Sequence, residues 1–287
     1  MSKSVRIKVK DVVFDNRAPV AFIAGPCAME SEALLRRVGR GLKREFSKLG
    51  LPFVLKCSFD KANRSSIDSY RGLGAEKGLQ ILAKIGGELG VPTISDVHEA
   101  AQAALAARYV DILQIPAFLC RQTDLLIACG RTGKPINVKK GQFMAPWDMR
   151  NAARKIESTG NRRILLTERG TTFGYGNLVV DMRSLEIMRG FGYPVIYDAT
   201  HSVQLPGALG HATGGQRQYA IPLSRAAVAV GVAGLFLETH PDPEQALSDG
   251  PNSVRLRDVP QLVRQMRMID SLVKKVKING GRTEPVR

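Results

Sequence analysis

The sequence has no run of eighteen apolar residues, so no segment is predicted to cross a membrane as a helix. It opens Met1-Ser2-Lys3-Ser4-Val5-Arg6, without the apolar stretch a secretory signal needs. Cysteine is scarce, and Cys27, Cys57, Cys120 and Cys129 show neither metal-finger nor redox spacing. Reduced thiols in a cytoplasmic protein are therefore expected, not a disulfide framework. No Walker loop is present, and Gly174-Tyr175-Gly176 lacks the third glycine of a dinucleotide fingerprint. His98-Glu99 lacks the later histidine of a zinc-protease helix. Acidic residues are also in deficit, 26 against 42 lysines and arginines, for a net charge of +16.

Such a charge raises nucleic-acid binding as a hypothesis. The cations are spread along the chain, however, and no basic stripe is interleaved with aromatics, so no nucleic-acid partner is expected. The charge has another use, the attraction of small polyanionic substrates. Only the C-terminal segment is locally basic (Arg264, Arg267, Lys274, Lys275, Lys277, Arg282); it reads as an amphipathic helix over Val259–Val276 with a solvated outer face.

Against these absences stand eight short apolar runs: Val20–Ala24, Phe53–Lys56, Thr93–Asp96, Ile112–Pro116, Ile136–Lys139, Ile164–Glu168, Val195–Asp198 and Gly234–Glu238. They are continuous, as parallel strands covered on both faces should be. Helical stretches alternate with them, among them Glu30–Leu49 and the alanine-rich Glu99–Arg108. The pattern predicts an α/β fold, a (β/α)₈ TIM barrel, as one domain over residues 1–287. Alternation around Lys10-Asp11 adds a short N-terminal β-hairpin within residues 1–17, and residues 259–287 form the basic helix and tail.

A barrel collects its chemistry at the C-terminal strand ends. There the chain places Gly25-Pro26-Cys27, Lys56, Asp96 with His98, Gln114, Lys139-Lys140, Glu168-Arg169, Asp198 to His201, and Glu238 to His240. The segment Lys56–Ser66 alone holds Lys56, Lys61, Arg64, Ser58, Ser65 and Ser66, donors suited to a phosphorylated small molecule. Cys27, His201, Glu238 and Asp249 on separate loops make a mixed S/N/O metal set, although Cys after Gly-Pro and Asp249-Gly250 are also ordinary turn pairs. Lys139, Arg169, Lys56 and Lys61 could hold an anion, pair with carboxylates such as Asp96 or Glu168, or, for a buried lysine, form a Schiff base. The glycine-rich stretch 206–215 reads as a lid or as a plain loop.

Longer motifs then carry a resemblance. Ala24-Gly25-Pro26-Cys27-Ala28-Met29-Glu30-Ser31, the Lys56–Ser66 stretch, Ser95-Asp96-Val97-His98-Glu99, Gln114 through Asp124, Asn137 through Phe143, Glu168-Arg169-Gly170, Asp198-Ala199-Thr200-His201 and His240-Pro241-Asp242-Pro243 resemble the 3-deoxy-D-manno-octulosonate 8-phosphate synthases. These belong to one superfamily with the 3-deoxy-D-arabino-heptulosonate 7-phosphate synthases. Lys61-Ala62-Asn63-Arg64-Ser65-Ser66 favours the eight-carbon enzymes, since the heptulosonate enzymes resemble Lys-Pro-Arg-Thr there.

The resemblance implies a transferase that condenses phosphoenolpyruvate with D-arabinose 5-phosphate, releasing inorganic phosphate, in lipopolysaccharide inner-core biosynthesis. It implies Lys139, Arg169, Lys56 and Lys61 as the phosphoenolpyruvate grip, with Asp96 and Gln114 beside it. Asn63, Arg64 and Ser65 would hold the pentose phosphate, and Arg121 would reach a neighbouring subunit of a homotetramer. Metal-independent members resemble Asn at the position of Cys27 and Cys before Asp-Gly-Pro. This chain has Cys27 and Ser248 there, which implies the metal-dependent class. Its divalent ion (zinc, iron, manganese or cobalt) would be held by Cys27, His201, Glu238 and Asp249. The catalytic set implied is Cys27, Lys56, His201 and Asp249. The nearest alternative is a heptulosonate phosphate synthase using erythrose 4-phosphate.

Overall fold

The computed structural model describes residues 4–208 and 213–275. Eight parallel strands alternate with eight helices: β1 (Ala21–Gly25), α1 (Glu32–Lys48), β2 (Val54–Lys56), α2 (Ala75–Leu89), β3 (Thr93–Asp96), α3 (Ala100–Tyr109), β4 (Ile112–Ile115), α4 (Thr123–Arg131), β5 (Ile136–Lys139), α5 (Met149–Glu157), β6 (Ile164–Glu168), α6 (Arg183–Arg189), β7 (Val195–Asp198), α7 (Ala220–Val230), β8 (Gly234–His240) and α8 (Val259–Lys275). Neighbours pair in chain order, and β8 pairs with both β7 (Asp198↔Phe236) and β1 (Glu238↔Gly25), so the barrel closes and leaves no edge. The expected (β/α)₈ barrel is therefore present. β8 runs two residues beyond the expected end, because Thr239 and His240 pair with Val254 and Arg255.

Every barrel strand is buried along its whole length, which explains its continuous apolar character. One parity faces the helices. Phe22, Leu55, Leu113, Val138, Leu166 and Leu235 share a core with Leu35, Val38, Leu42 and Phe46 of α1. That helix starts where the Ser31 hydroxyl accepts the Leu34 N–H at 3.1 Å.

The other parity faces the barrel axis, and here the hairpin has its role. Its strands, Ile7–Val9 and Val12–Phe14, turn at Lys10 in the left-handed region (φ 51°). Ile7, Val9, Val12 and Phe14 pack with Ile23, Val54, Ile94, Ile112, Leu165, Ile196 and Phe236 in a second core that plugs the lower end. Because side chains alternate, the next inward positions up these strands are Gly25, Lys56, Asp96, Gln114, Thr167, Asp198 and Glu238. The plug and the site are thus successive layers of one lumen.

α8 corrects one expectation. Its buried face is Val259, Leu262, Val263, Met266 and Asp270, and Arg264 is exposed. Lys274, expected on the solvated face, instead pairs with Asp270 at 2.7 Å and donates to the carbonyls of Ala18 and Val232. Asp270 in turn accepts the Val20 N–H at 2.9 Å, so this pair ties α8 to the start of β1. Val276, Lys277 and Arg282 lie outside the described residues. No helix among those described is long and apolar enough to cross a membrane.

Candidate active site

The inward layer above the plug is polar and linked across strands. Thr167 donates to Asn137 (2.6 Å), Asn137 to Gln114 (2.8 Å), Gln114 to Asp96, and Ser58 also to Asp96. Each member has its partner, as a buried polar layer requires. Above it opens a cavity of about 240 Å³, lined by Lys61, Asn63, Arg64, Ser65, Lys139, Arg169, His201, Gln204, Glu238 and Asp249 among others.

Cations and carboxylates interleave around this cavity. The Lys56 Nζ lies 2.5 Å from Glu238 and 2.6 Å from the Cys27 carbonyl. Lys139 lies 2.5 Å from Asp198 and 3.5 Å from the centroid of the Phe236 ring. Lys61 stands 3.8 Å from Glu238 and 3.9 Å from Asp96. Burial would push the Glu238 carboxyl up, but Lys56, His201 and Lys61 outweigh it and bring the pKa down to about 2. For Asp96, burial likewise opposes ionisation, and Lys61 and Lys56 override it. Lys61 itself is raised, burial losing to Cys27, Glu238 and Asp96. For Arg169 and Lys139 burial wins and their pKa values fall, although Asp198 opposes it at both. Arg169 donates through Nη2 to Gln204, while its buried Nη1 has no partner. A desolvated guanidinium nitrogen without a partner is an unmet donor, which an anion in the cavity would satisfy.

Three of the four expected metal residues form one cluster, and the fourth, His201, approaches it from the carboxylate side. The donor atoms of Cys27, Glu238 and Asp249 all lie within 4.8 Å of one another. His201 Nε2 joins them, 3.6 Å from Glu238 Oε2 and 3.7 Å from Asp249 Oδ2. Its other nitrogen, Nδ1, faces Asp198 at 2.8 Å, which orients the ring with Nε2 toward the cluster. Glu238 Oε2 is buried and has no hydrogen-bond partner. Asp249 sits in the left-handed region (φ 50°), where Asp is among the few side chains tolerated. The Cys27 thiol donates to Asp249 Oδ2 at 3.1 Å and lies 3.0 Å from Ser248 Oγ. Burial, Asp249 and Glu238 all hold it above its ordinary range, as an S–H that a cation would displace. One thiol, one imidazole and two carboxylates around an orphaned oxygen fit a divalent ion of borderline softness.

The remaining expected residues differ in placement. Lys61, Asn63, Arg64, Ser65, Asp96, Gln114, Lys139 and Arg169 all line the cavity. Lys56 does not: it is wholly buried beneath it, with its ammonium engaged by Glu238 and the Cys27 carbonyl. Arg64 reaches across to Ser248 Oγ (2.9 Å) and the Leu247 carbonyl (3.0 Å), on the loop that carries Asp249. Arg121 is exposed and outside the cavity lining. Of the expected lid, Pro206, Gly207 and Thr213 border the cavity, and Gln204–Leu205 pairs with Gly214–Gly215; residues 209–212 lie outside the described residues. Of the carboxylate pairings the sequence allowed for these cations, Lys61 stands by Asp96 (3.9 Å), whereas Lys139 pairs with Asp198. Glu168 faces outward and accepts from the N–H groups of Arg169 and Gly170 and from Ser184. Asp198 and Gln204 received no role from sequence. Their position at a strand end, and three residues after His201, was the only available signal.

A closed (β/α)₈ barrel whose mouth sets anion donors beside an S/N/O cluster defines a class of barrel enzymes acting on small anionic substrates. The chain belongs to the DAHP synthetase I family, matched over residues 4–275. It is 60% identical over 268 residues to the 2-dehydro-3-deoxyphosphooctonate aldolase of Syntrophotalea carbinolica, covering 93% of this chain and 97% of the relative. Proteins of the same name from Geobacter sp. (57% over 267 residues, 93% and 98% covered) and Fusobacterium nucleatum (55% over 271, 94% and 98%) are also similar.

Proposed function

We propose that the chain condenses phosphoenolpyruvate with D-arabinose 5-phosphate and water to 3-deoxy-D-manno-octulosonate 8-phosphate and inorganic phosphate. The product is the compound in the relatives' name, a 2-dehydro-3-deoxyphosphooctonate. The observation that carries the reading is the meeting, at one mouth, of anion donors (Lys61, Arg64, Lys139, Arg169) with the Cys27, His201, Glu238, Asp249 cluster. Lys139, Lys61 and the free Arg169 Nη1 would take phosphoenolpyruvate. Asn63, Arg64 and Ser65, on the loop after β2, would take the sugar phosphate. Lys56, from beneath, keeps Glu238 ionised and fixes the Cys27 backbone. Arg121, too exposed to serve its own cavity, is assigned to a neighbouring subunit's site.

In the reaction C3 of the enol phosphate bonds to the aldehyde carbon, a water oxygen joins C2 while a water proton goes to the former aldehyde oxygen, and the C2–O bond to phosphate breaks, releasing inorganic phosphate. A divalent ion held by Cys27, His201, Glu238 and Asp249 would supply Lewis acidity toward the water or the aldehyde oxygen. Asp198 keeps the His201 ring oriented throughout, and the cationic wall gathers charge that phosphate departure redistributes. We assign the reaction to lipopolysaccharide inner-core biosynthesis in the cytoplasm, which the four free cysteines support. Exposed Phe118, Phe143, Trp147, Phe173 and Tyr175 on adjacent loops beside the mouth support a contact between subunits, and the homotetramer itself is carried over from the resemblance.

The test is a rate comparison with phosphoenolpyruvate and either arabinose 5-phosphate or erythrose 4-phosphate. A large preference for the pentose phosphate, with phosphate release matching product, is expected. Preference for the tetrose phosphate would move the chain to the heptulosonate reaction.

A further inference from the structure

Gln204 stands between the two halves of this site. Its side chain is nine-tenths buried, at 9% exposure. Its amide oxygen accepts from Arg169 Nη2 (2.5 Å) and its amide nitrogen faces Asp249 Oδ1 at 3.4 Å. The neighbours dictate that orientation: a guanidinium only donates and a carboxylate only accepts, so a flipped amide would face like against like on both sides. The backbone bearing it is braced against the Asp249 loop. Gln204 pairs with Gly215, which packs closely on the Asp249 loop: a Cβ there would meet the Asn252 side chain and lie 3.2 Å from the Pro251 carbonyl carbon. Two residues on, Arg217 donates to the Gly250 carbonyl at 2.8 Å.

We infer that Gln204 is a positioning residue that couples the anion grip to the metal cradle. An anion that captures the free Arg169 Nη1 draws the guanidinium toward the cavity and, through the Gln204 amide, sets the Asp249 carboxylate. A cation on Asp249 acts in reverse. Phosphoenolpyruvate and the divalent ion therefore bind cooperatively, and linkage requires each to raise the other's affinity by the same factor. This rests on the function proposed above.

The experiment is calorimetric titration of phosphoenolpyruvate into the metal-stripped and the cobalt(II)-loaded protein, and of cobalt(II) with and without phosphoenolpyruvate. It is run on the native chain, Gln204→Met and Gln204→Asn; the asparagine keeps an amide but is too short to span both partners. In the native chain each ligand should raise the other's affinity by about fivefold or more. In both variants that factor should fall toward one, while each ligand still binds alone and the cobalt absorption no longer responds to phosphoenolpyruvate. A purely structural role would weaken both ligands without altering the factor. Native coupling in either variant, or no coupling in the native chain, overturns the inference. Failure of the native chain to bind phosphoenolpyruvate at all would instead refute the proposed function.

Discussion

Replacing Gly25 with alanine should injure activity more than any other single-methyl change in the barrel wall. A Cβ there would stand 1.9 Å from the Lys56 carbonyl oxygen and 2.8 and 2.9 Å from its carbon and nitrogen. That is roughly 1.5 Å inside ordinary contact, and the obstacle is backbone, so β1 and β2 must part. Gly25 also pairs with Glu238 on its other side and lies two residues before Cys27. The displacement therefore falls on Lys56, Glu238 and Cys27 together. Overpacking of this kind costs about 1–3 kcal/mol, or a melting-point loss of roughly 2–4 °C per kcal/mol for a chain of this size. Misplacing reactive groups by ~1 Å costs about a hundredfold in rate. Gly87 in α2 is the contrast: its Cβ meets nothing within 4 Å, so Gly87→Ala should stabilise by about 0.5–1 kcal/mol. Thermal melting and kcat/KM for both variants decide the matter. A Gly25→Ala protein with native melting and native kcat/KM would refute the reasoning.

Lys140 donates to Thr171 Oγ1 (2.9 Å) and to the carbonyls of Met144 and Gly170, and lies 3.5 Å from Glu168, so it staples the loops after β5 and β6. Lys140→Met removes one partner of a buried pair and should cost about 3–5 kcal/mol, read as a lower urea midpoint. Arg64→Ala should raise KM for the pentose phosphate by about ten- to a hundredfold, one lost charged hydrogen bond being worth about 1.5–3 kcal/mol, with far less effect on KM for phosphoenolpyruvate; equal effects on both would reassign Arg64. Phe143→Glu with Trp147→Glu should reduce the assembly's mass in light scattering, whereas an unchanged mass would place the subunit contact elsewhere.

Much of the fold was legible because burial on both strand faces writes itself as short apolar runs, here within a residue or two of the strands. The polar strand ends were legible for the same reason, each breaking an apolar run at its C-terminal end. Period-2 alternation also separates Lys139, which faces the lumen, from Lys140, which faces outward, although both are lysines in one motif. What stayed hidden were partners distant in sequence. Lys56 meets Glu238 across 182 residues, and Lys139 meets Asp198 across 59, choices set by the circular order of strands. The role of the hairpin as a barrel plug was hidden too, since its apolar pattern fits any half-buried ribbon. Lys274 was misread because a lysine at a helix end is normally solvated; only the buried Asp270 carboxylate reveals its place.

The central claim is that this mouth works through a divalent ion held by Cys27, His201, Glu238 and Asp249. The most direct measurement is the rate of product formation from phosphoenolpyruvate and arabinose 5-phosphate before and after chelation, with bound metal counted in the same samples, on the native chain and Cys27→Asn. The account predicts loss of activity in step with loss of metal, recovery on adding a divalent ion, and a Cys27→Asn protein that binds the ion weakly. Full native activity in protein shown to be free of metal would contradict it.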